Sequence, residues 1–188
     1  MTPEDRSRAL QREANDVLDL IRLYELCAPI GRLMPTGSFF LDLMMYPDID
    51  LYLPATTPDV LLTVAVELGK HPCVQKINYS RGGPGELKDG LYLKPVVVHG
   101  HWERPWKIDM WALPLTIVEK KQAELEDLRA RMTPEHRQRI VDTKYRLLTN
   151  EGRTPMFSGI YIYRAIVEHG LEQLDDIVEF LKGNGINV

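Results

Sequence analysis

Apolar residues recur at helical spacing along the first segment, where Leu10, Ala14, Val17, Leu18, Ile21 and Tyr24 share one face. Thr2, Pro3, Glu4 and Asp5 supply its start: a cap, a proline at the first helical position and acids at the positive end of the dipole. Pro29 and Gly31 close the segment. The period then shortens. Leu33–Phe39 reads as a short strand, and Asp48-Ile49-Asp50-Leu51-Tyr52-Leu53 alternates strictly, as a strand with one buried face does. Pro58–Gly69 predicts a helix with Val60, Leu61, Val64 and Leu68 inward. Strands are expected near Val74–Ser80 and Leu91–His99, separated by turn chemistry at Gly82-Gly83-Pro84-Gly85 and Asp89-Gly90. Trp106–Leu113 alternates again.

Beyond Pro114 the pattern is helical throughout. Helices are expected over Thr116–Met132, from a second cap at Thr133-Pro134-Glu135-His136 to about Thr149, and near Ser158–His169 and Leu171–Leu181. Gly152 and Pro155 break the chain between them. No internal repeat or low-complexity tract is present. The pattern predicts an α+β fold. A mixed sheet flanked by helices occupies residues 1–114, and a C-terminal helical bundle occupies residues 115–188.

Composition narrows the class. The 188 residues are 44% apolar and 27% charged, as in ordinary globular proteins. With 23 Lys and Arg against 27 Asp and Glu, the formal charge is -4. That excludes a generally basic nucleic-acid coat but leaves room for a local basic cleft. Cys27 and Cys73 lie far apart, so there is neither a disulfide framework nor zinc spacing. Met1–Arg6 lacks a signal-peptide pattern, and no apolar run approaches the roughly 20 residues that span a bilayer. The expectation is a reduced, cytoplasmic chain without a membrane partner.

Candidate chemistry centres on Asp48 and Asp50. Two residues apart on a strand, they leave the same face with Cα atoms about 6.6 Å apart. Such neighbours repel, and one carboxyl titrates high unless a cation neutralises them. A hard divalent ion such as Mg2+ does so through oxygen ligands. By itself Asp-x-Asp is most often a solvated strand edge or turn. Gly37-Ser38 lies upstream, where glycine admits a ligand close to the backbone and serine offers a hydroxyl and an amide to phosphate. Asp109 sits in the alternating strand with Trp106, Ile108 and Met110 on the opposite face. Lys107 shares Asp109's face and is a candidate phosphate contact. If the strands are neighbours, about 4.8 Å apart, the three carboxylates converge into a site able to hold two metals roughly 3.5–4 Å apart.

Gly37-Ser38, nine residues, Asp48-Ile49-Asp50-Leu51 and a later strand Asp109 resemble the nucleotidyltransferase superfamily related to DNA polymerase beta, best its small bacterial and antibiotic-modifying members. The likeness covers about residues 33–113. It implies a nucleotidyltransferase-like sheet and transfer of NMP from an NTP, most simply ATP, to a hydroxyl or phosphate acceptor, favouring a small molecule over nucleic acid. It also implies that Gly37 and Ser38 cradle the β/γ-phosphates. Asp48 and Asp50 would bind two Mg2+ ions, Asp109 would complete the site beside the attacking hydroxyl, and residues 116–188 would close over the substrate. Phe39–Pro47 departs from the family pattern, being apolar where many members carry a polar, Arg- and Gly-containing loop. It can pack instead as a short helix, leaving phosphate-binding cations to come from Arg32, Arg81, Lys88, Lys107 or Lys144.

Other signals carry less. Arg164 and His169 are similar to the Arg-x4–6-His motif of a family of helical nucleases, but Ala165 replaces its usual polar residue, and a histidine at a helix end complements the dipole. His99 and His101 lack a third ligand at matching spacing. Trp102, Trp106 and Trp111 read as core or cleft-wall aromatics, and residues 119–127 as a solvated charged face. Ser38 has no His and Asp partners at hydrolase spacing. Two alternatives to catalysis by the acids stay open: an inactive binding or regulatory protein on the same fold, and a toxin–antitoxin or RNA-modifying component. A homodimer also stays open.

Overall fold

The chain enters its first helix through a capping box. The Asp5 backbone N–H donates to the Thr2 hydroxyl at 3.1 Å, and the Asp5 carboxylate accepts from the Thr2 backbone N–H at 3.4 Å. In the computed structural model, which describes residues 1–188, this helix α1 (Pro3–Leu20) ends earlier than the periodicity suggests. Arg22 adopts a left-handed backbone at φ 52, and a separate α2 (Leu23–Cys27) follows. The break lets Ile21 and Leu23 both bury completely, whereas residues two apart on one continuous helix point about 200° apart.

The remaining elements are β1 (Met34–Thr36), α3 (Gly37–Phe40), β2 (Asp48–Pro54), α4 (Pro58–Leu68), β3 (Val74–Arg81), β4 (Leu91–Val97) and β5 (Trp106–Leu113). After them come α5 (Leu115–Arg131), α6 (Pro134–Arg146), α7 (Ser158–Val167) and α8 (Leu174–Gly183). The strand expected through Phe39 stops at Thr36, because Gly37 turns the chain at φ +58 into α3 and Phe39 packs into the core. Val60, expected inward on α4, is 40% exposed, while Leu61, Val64 and Leu68 hold the buried face. Positions 61, 64 and 68 follow the i, i+3, i+7 stripe, and 60 lies about 40° beyond its edge at 64.

The five strands form one mixed sheet in the order β1-β2-β5-β4-β3. Only β2 and β5 run parallel. The fold is therefore α+β, with helices flanking a mixed sheet. Ile49, Leu51, Leu53, Ile108 and Met110 join Leu10, Val17 and Leu18 of α1 and Leu61 and Leu68 of α4 in one core. A second core gathers Leu128, Ile140, Ile166 and Leu181 from the C-terminal helices. Leu41, Leu43 and Met45 pack into that second core. The apolar segment between α3 and β2 is thus the seam joining sheet and helices. Arg6 reinforces it: its Nε donates to the Met45 carbonyl at 2.8 Å, and its two terminal nitrogens grip Glu103 at 2.8 and 2.7 Å. No helix is long and apolar enough to cross a membrane.

Candidate active site

The parallel β2–β5 register sets Asp50 directly opposite Asp109 and Asp48 opposite Lys107. Alternation sends Ile49, Leu51, Ile108 and Met110 into the core, so these four polar residues leave the other face together. On the far side of β2, Thr36 pairs with Asp50, and the next residue is Gly37. A Cβ at Gly37 would stand 2.5 Å from Oδ2 of Asp50, so the carboxylate rests against bare backbone. Gly37, Ser38, Asp48, Asp50 and Asp109 line one cleft of about 660 Å3. Lys144 of α6, Arg153 and the segment 155–161 line it as well.

Charge in this cleft is poorly compensated. Burial raises the Asp48 carboxyl to about 6, the nearby Asp109 charge adds to the effect, and Arg104, Lys107 and Arg153 oppose it. Oδ1 of Asp48 is buried with no hydrogen-bond partner. Asp50 is held well above the usual carboxylate range, first by burial and then by the charges of Asp48 and Asp109. Both acids keep some surface on the cleft, but protein atoms crowd their carboxylates. Asp109 is better served: its Oδ1 accepts from the Tyr92 hydroxyl and lies 3.4 Å from Lys94 Nζ. Lys144 is 1% exposed. Burial depresses its ammonium to about 7 against the pull of Asp50 and Asp48. Its Nζ donates to the Leu43 carbonyl at 2.5 Å and to the Tyr163 hydroxyl at 3.3 Å.

An oxygen-only donor set with an orphaned buried carboxylate oxygen suits a hard divalent cation. No three His, Cys, Asp or Glu side chains form a ready coordination group. The residues therefore fit an ion such as Mg2+ that keeps water and substrate oxygens in much of its shell, which is how Mg2+ is commonly bound. Asp48 and Asp50 would hold it, with Asp109 across the strand pair.

The structure brings Gly37, Ser38, Asp48, Asp50 and Asp109 together at one cleft. Lys107 shares their face but lies on β5, across β2 from Gly37 and Ser38. Of the other candidate cations Lys144 lines the cleft, while Arg32, Arg81 and Lys88 are exposed and do not line it. Arg164 and His169 are exposed, and His169 packs on the Phe180 ring at 4.8 Å between centroids. Trp106 is fully buried and, like Trp102, donates its indole N–H to Glu13. Trp111 alone of the three lines the cleft, stacked 4.7 Å from Tyr92. Tyr92, Lys94, Arg104 and Arg153 are functional candidates that the linear pattern did not single out. Alternation in β4 puts Tyr92 and Lys94 on one face, but only sheet pairing shows that this face meets Asp109. Nothing local in the sequence marks Arg104 or Arg153. No model of a known protein family matches the chain, and comparison with curated proteins finds no match.

Proposed function

We propose that the chain is a metal-dependent nucleotidyltransferase that moves NMP from an NTP, ATP first among candidates, to a hydroxyl or phosphate of a small acceptor. The observation that carries this reading is that Asp48, Asp50 and Asp109 leave one face of adjacent strands into a single cleft, with Asp50 lying against the Gly37 turn. Gly37 and Ser38 receive the β/γ-phosphates on the β1 side of the acids. Lys144 supplies a buried cation that the apolar segment 39–47 lacks. Bound Mg2+ ions, two by this reading, would supply charge neutralisation and a more acidic attacking hydroxyl. The acceptor oxygen attacks the α-phosphorus, and the bond to the α–β bridging oxygen breaks. Pyrophosphate leaves with that electron pair, and a carboxylate of the acid group takes the hydroxyl proton. Asp109, across from Asp50, stands on the acceptor side.

Calorimetric titration of Mg-ATP and Mg-GTP into the wild type and Asp48→Asn tests the reading. Binding of one nucleotide by the wild type and its loss in the variant are expected; a wild type that binds neither overturns it. One observation favours a second reading, nucleotide binding without transfer: Asp109 is already engaged by Tyr92 and Lys94. Nucleotide binding with no pyrophosphate release across a panel of hydroxyl and phosphate acceptors supports that alternative.

A further inference from the structure

Lys107 stands opposite Asp48, Arg104 lies two residues before the start of β5, and the turn carrying Arg153 packs on Arg104, yet none of the three forms an ion pair. Lys94 pairs with Asp109, Arg6 with Glu103, and Lys120 and Lys121 with Glu86. Lys107 stands opposite Asp48 without a carboxylate at ion-pair distance. Nη1 of Arg104 is buried and has no hydrogen-bond partner. Arg153 spends only its Nε, on the neighbouring Thr154 carbonyl at 3.2 Å. The turn carrying Arg153 packs on the Arg104 stem: a Cβ at Gly152 would stand 3.9 Å from Arg104 Cδ and 3.4 Å from Glu103 Cβ. Asp48 is one carboxylate beside three positive groups, and a buried Arg104 donor stays unsatisfied, so the cluster has capacity for a further anion. Guanidinium forks beside a lysine are the usual protein answer to a phosphate.

The position of the cluster argues for whose phosphate it is. In the sheet order β1-β2-β5, Gly37 and Ser38 flank β2 on the β1 side and Lys107 flanks it on the β5 side. Lys107 therefore lies across Asp48 and Asp50 from the donor phosphates, while Arg153 reaches the cleft that Gly37 and Ser38 line. In-line transfer requires donor and acceptor to approach from opposite sides of the reacting phosphorus. We propose that the acceptor is a small molecule carrying a phosphomonoester, which docks on Arg104, Lys107 and Arg153 and presents its nucleophile toward Asp109. This rests on the nucleotidyltransferase reading. A compact group of three cations in a chain of net charge -4 matches one phosphate group better than a nucleic-acid tract.

The test titrates inorganic phosphate into the full chain, alone and with the donor site filled by Mg2+ and a non-hydrolysable ATP analogue. Saturable phosphate binding is expected in both conditions. Arg104→Met and Arg153→Gln should each weaken it about tenfold, the scale of one lost charge-assisted contact, while the analogue still binds. Asp48→Asn should lose the analogue and keep phosphate. Displacement of phosphate by the analogue overturns the proposal, because the cluster then belongs to the donor triphosphate. No saturable phosphate binding, or binding unchanged in both arginine variants, also overturns it. If phosphate binds on the arginines and the analogue never binds, the anion site stands and its acceptor role falls. A short single-stranded RNA that binds through Arg104 more tightly than phosphate, with a steep salt slope, overturns the small-molecule assignment.

Discussion

Gly37 and Asp50 touch so closely that a side-chain carbon on the glycine would meet Oδ2 of the carboxylate at 2.5 Å. The backbone there is left-handed, at φ +58, so two independent constraints favour glycine. Gly37→Ala is expected to cost about 1–3 kcal/mol in backbone strain and to push the Asp50 carboxylate aside. Urea unfolding measures the first effect and nucleotide titration the second. An alanine variant unchanged in both contradicts the contact.

Asp48 lowers the stability of the empty protein. Its folded-state pKa, about 6, lies above the ordinary value of 3.8 for the side chain. The folded chain thus binds the extra proton between those values, and stability falls as pH rises through that window. Asp48→Asn should raise the urea midpoint at pH 7.5, by a stability on the order of 1–2 kcal/mol, with the gain vanishing below about pH 4. Added Mg2+ should raise the wild-type midpoint and leave the variant unmoved.

Lys144 has the opposite sign of pH dependence. Burial lowers its ammonium from 10.5 to about 7, so the unfolded chain binds more protons across that interval. Its contribution therefore makes stability rise with pH from about 7 toward 10.5, by up to about 1.4 kcal/mol per pH unit. Unfolding curves at pH 7.5, 8.5 and 9.5 should show the slope in the wild type and lose it in Lys144→Met. Equal slopes in the two proteins contradict a buried, depressed lysine.

The Arg6 fork holds the Glu103 carboxyl down to about 2. A depressed acid contributes above its unfolded value, near 4.5, and loses that contribution as pH falls toward 2. The Glu103 side chain is 56% exposed, so screening keeps the effect of Glu103→Gln at neutral pH under about 1 kcal/mol. Arg6→Met also removes the bond to the Met45 carbonyl in the seam between the cores. It should cost more, about 2–3 kcal/mol. A variant pair with equal losses means that the backbone contact contributes nothing.

Much of the site was readable without coordinates. Strict alternation fixes the faces of Asp48, Asp50 and Asp109, because a strand repeats every two residues and its apolar partners must go inward. Helix starts at Thr2 and Thr133 were readable from their caps, which are local hydrogen-bond chemistry. The end of α1 was not, because it depends on burying both Ile21 and Leu23 in a core built from distant strands. The expected strand end at Phe39 failed for the same reason: Phe39 packs into that core after the Gly37 turn.

From sequence alone came the α+β pattern, the acid-bearing faces and the glycine turn, all set by periods and backbone preferences within a few residues. Tertiary structure alone decided that β2 and β5 are parallel neighbours, that Tyr92 and Lys94 hold Asp109, and that Lys144 and Arg153 line the cleft of the acids. Strand pairing and side-chain convergence join residues that lie as much as a hundred or more positions apart. Their energies come from burial and charge in the assembled interior, which no local stretch of sequence contains.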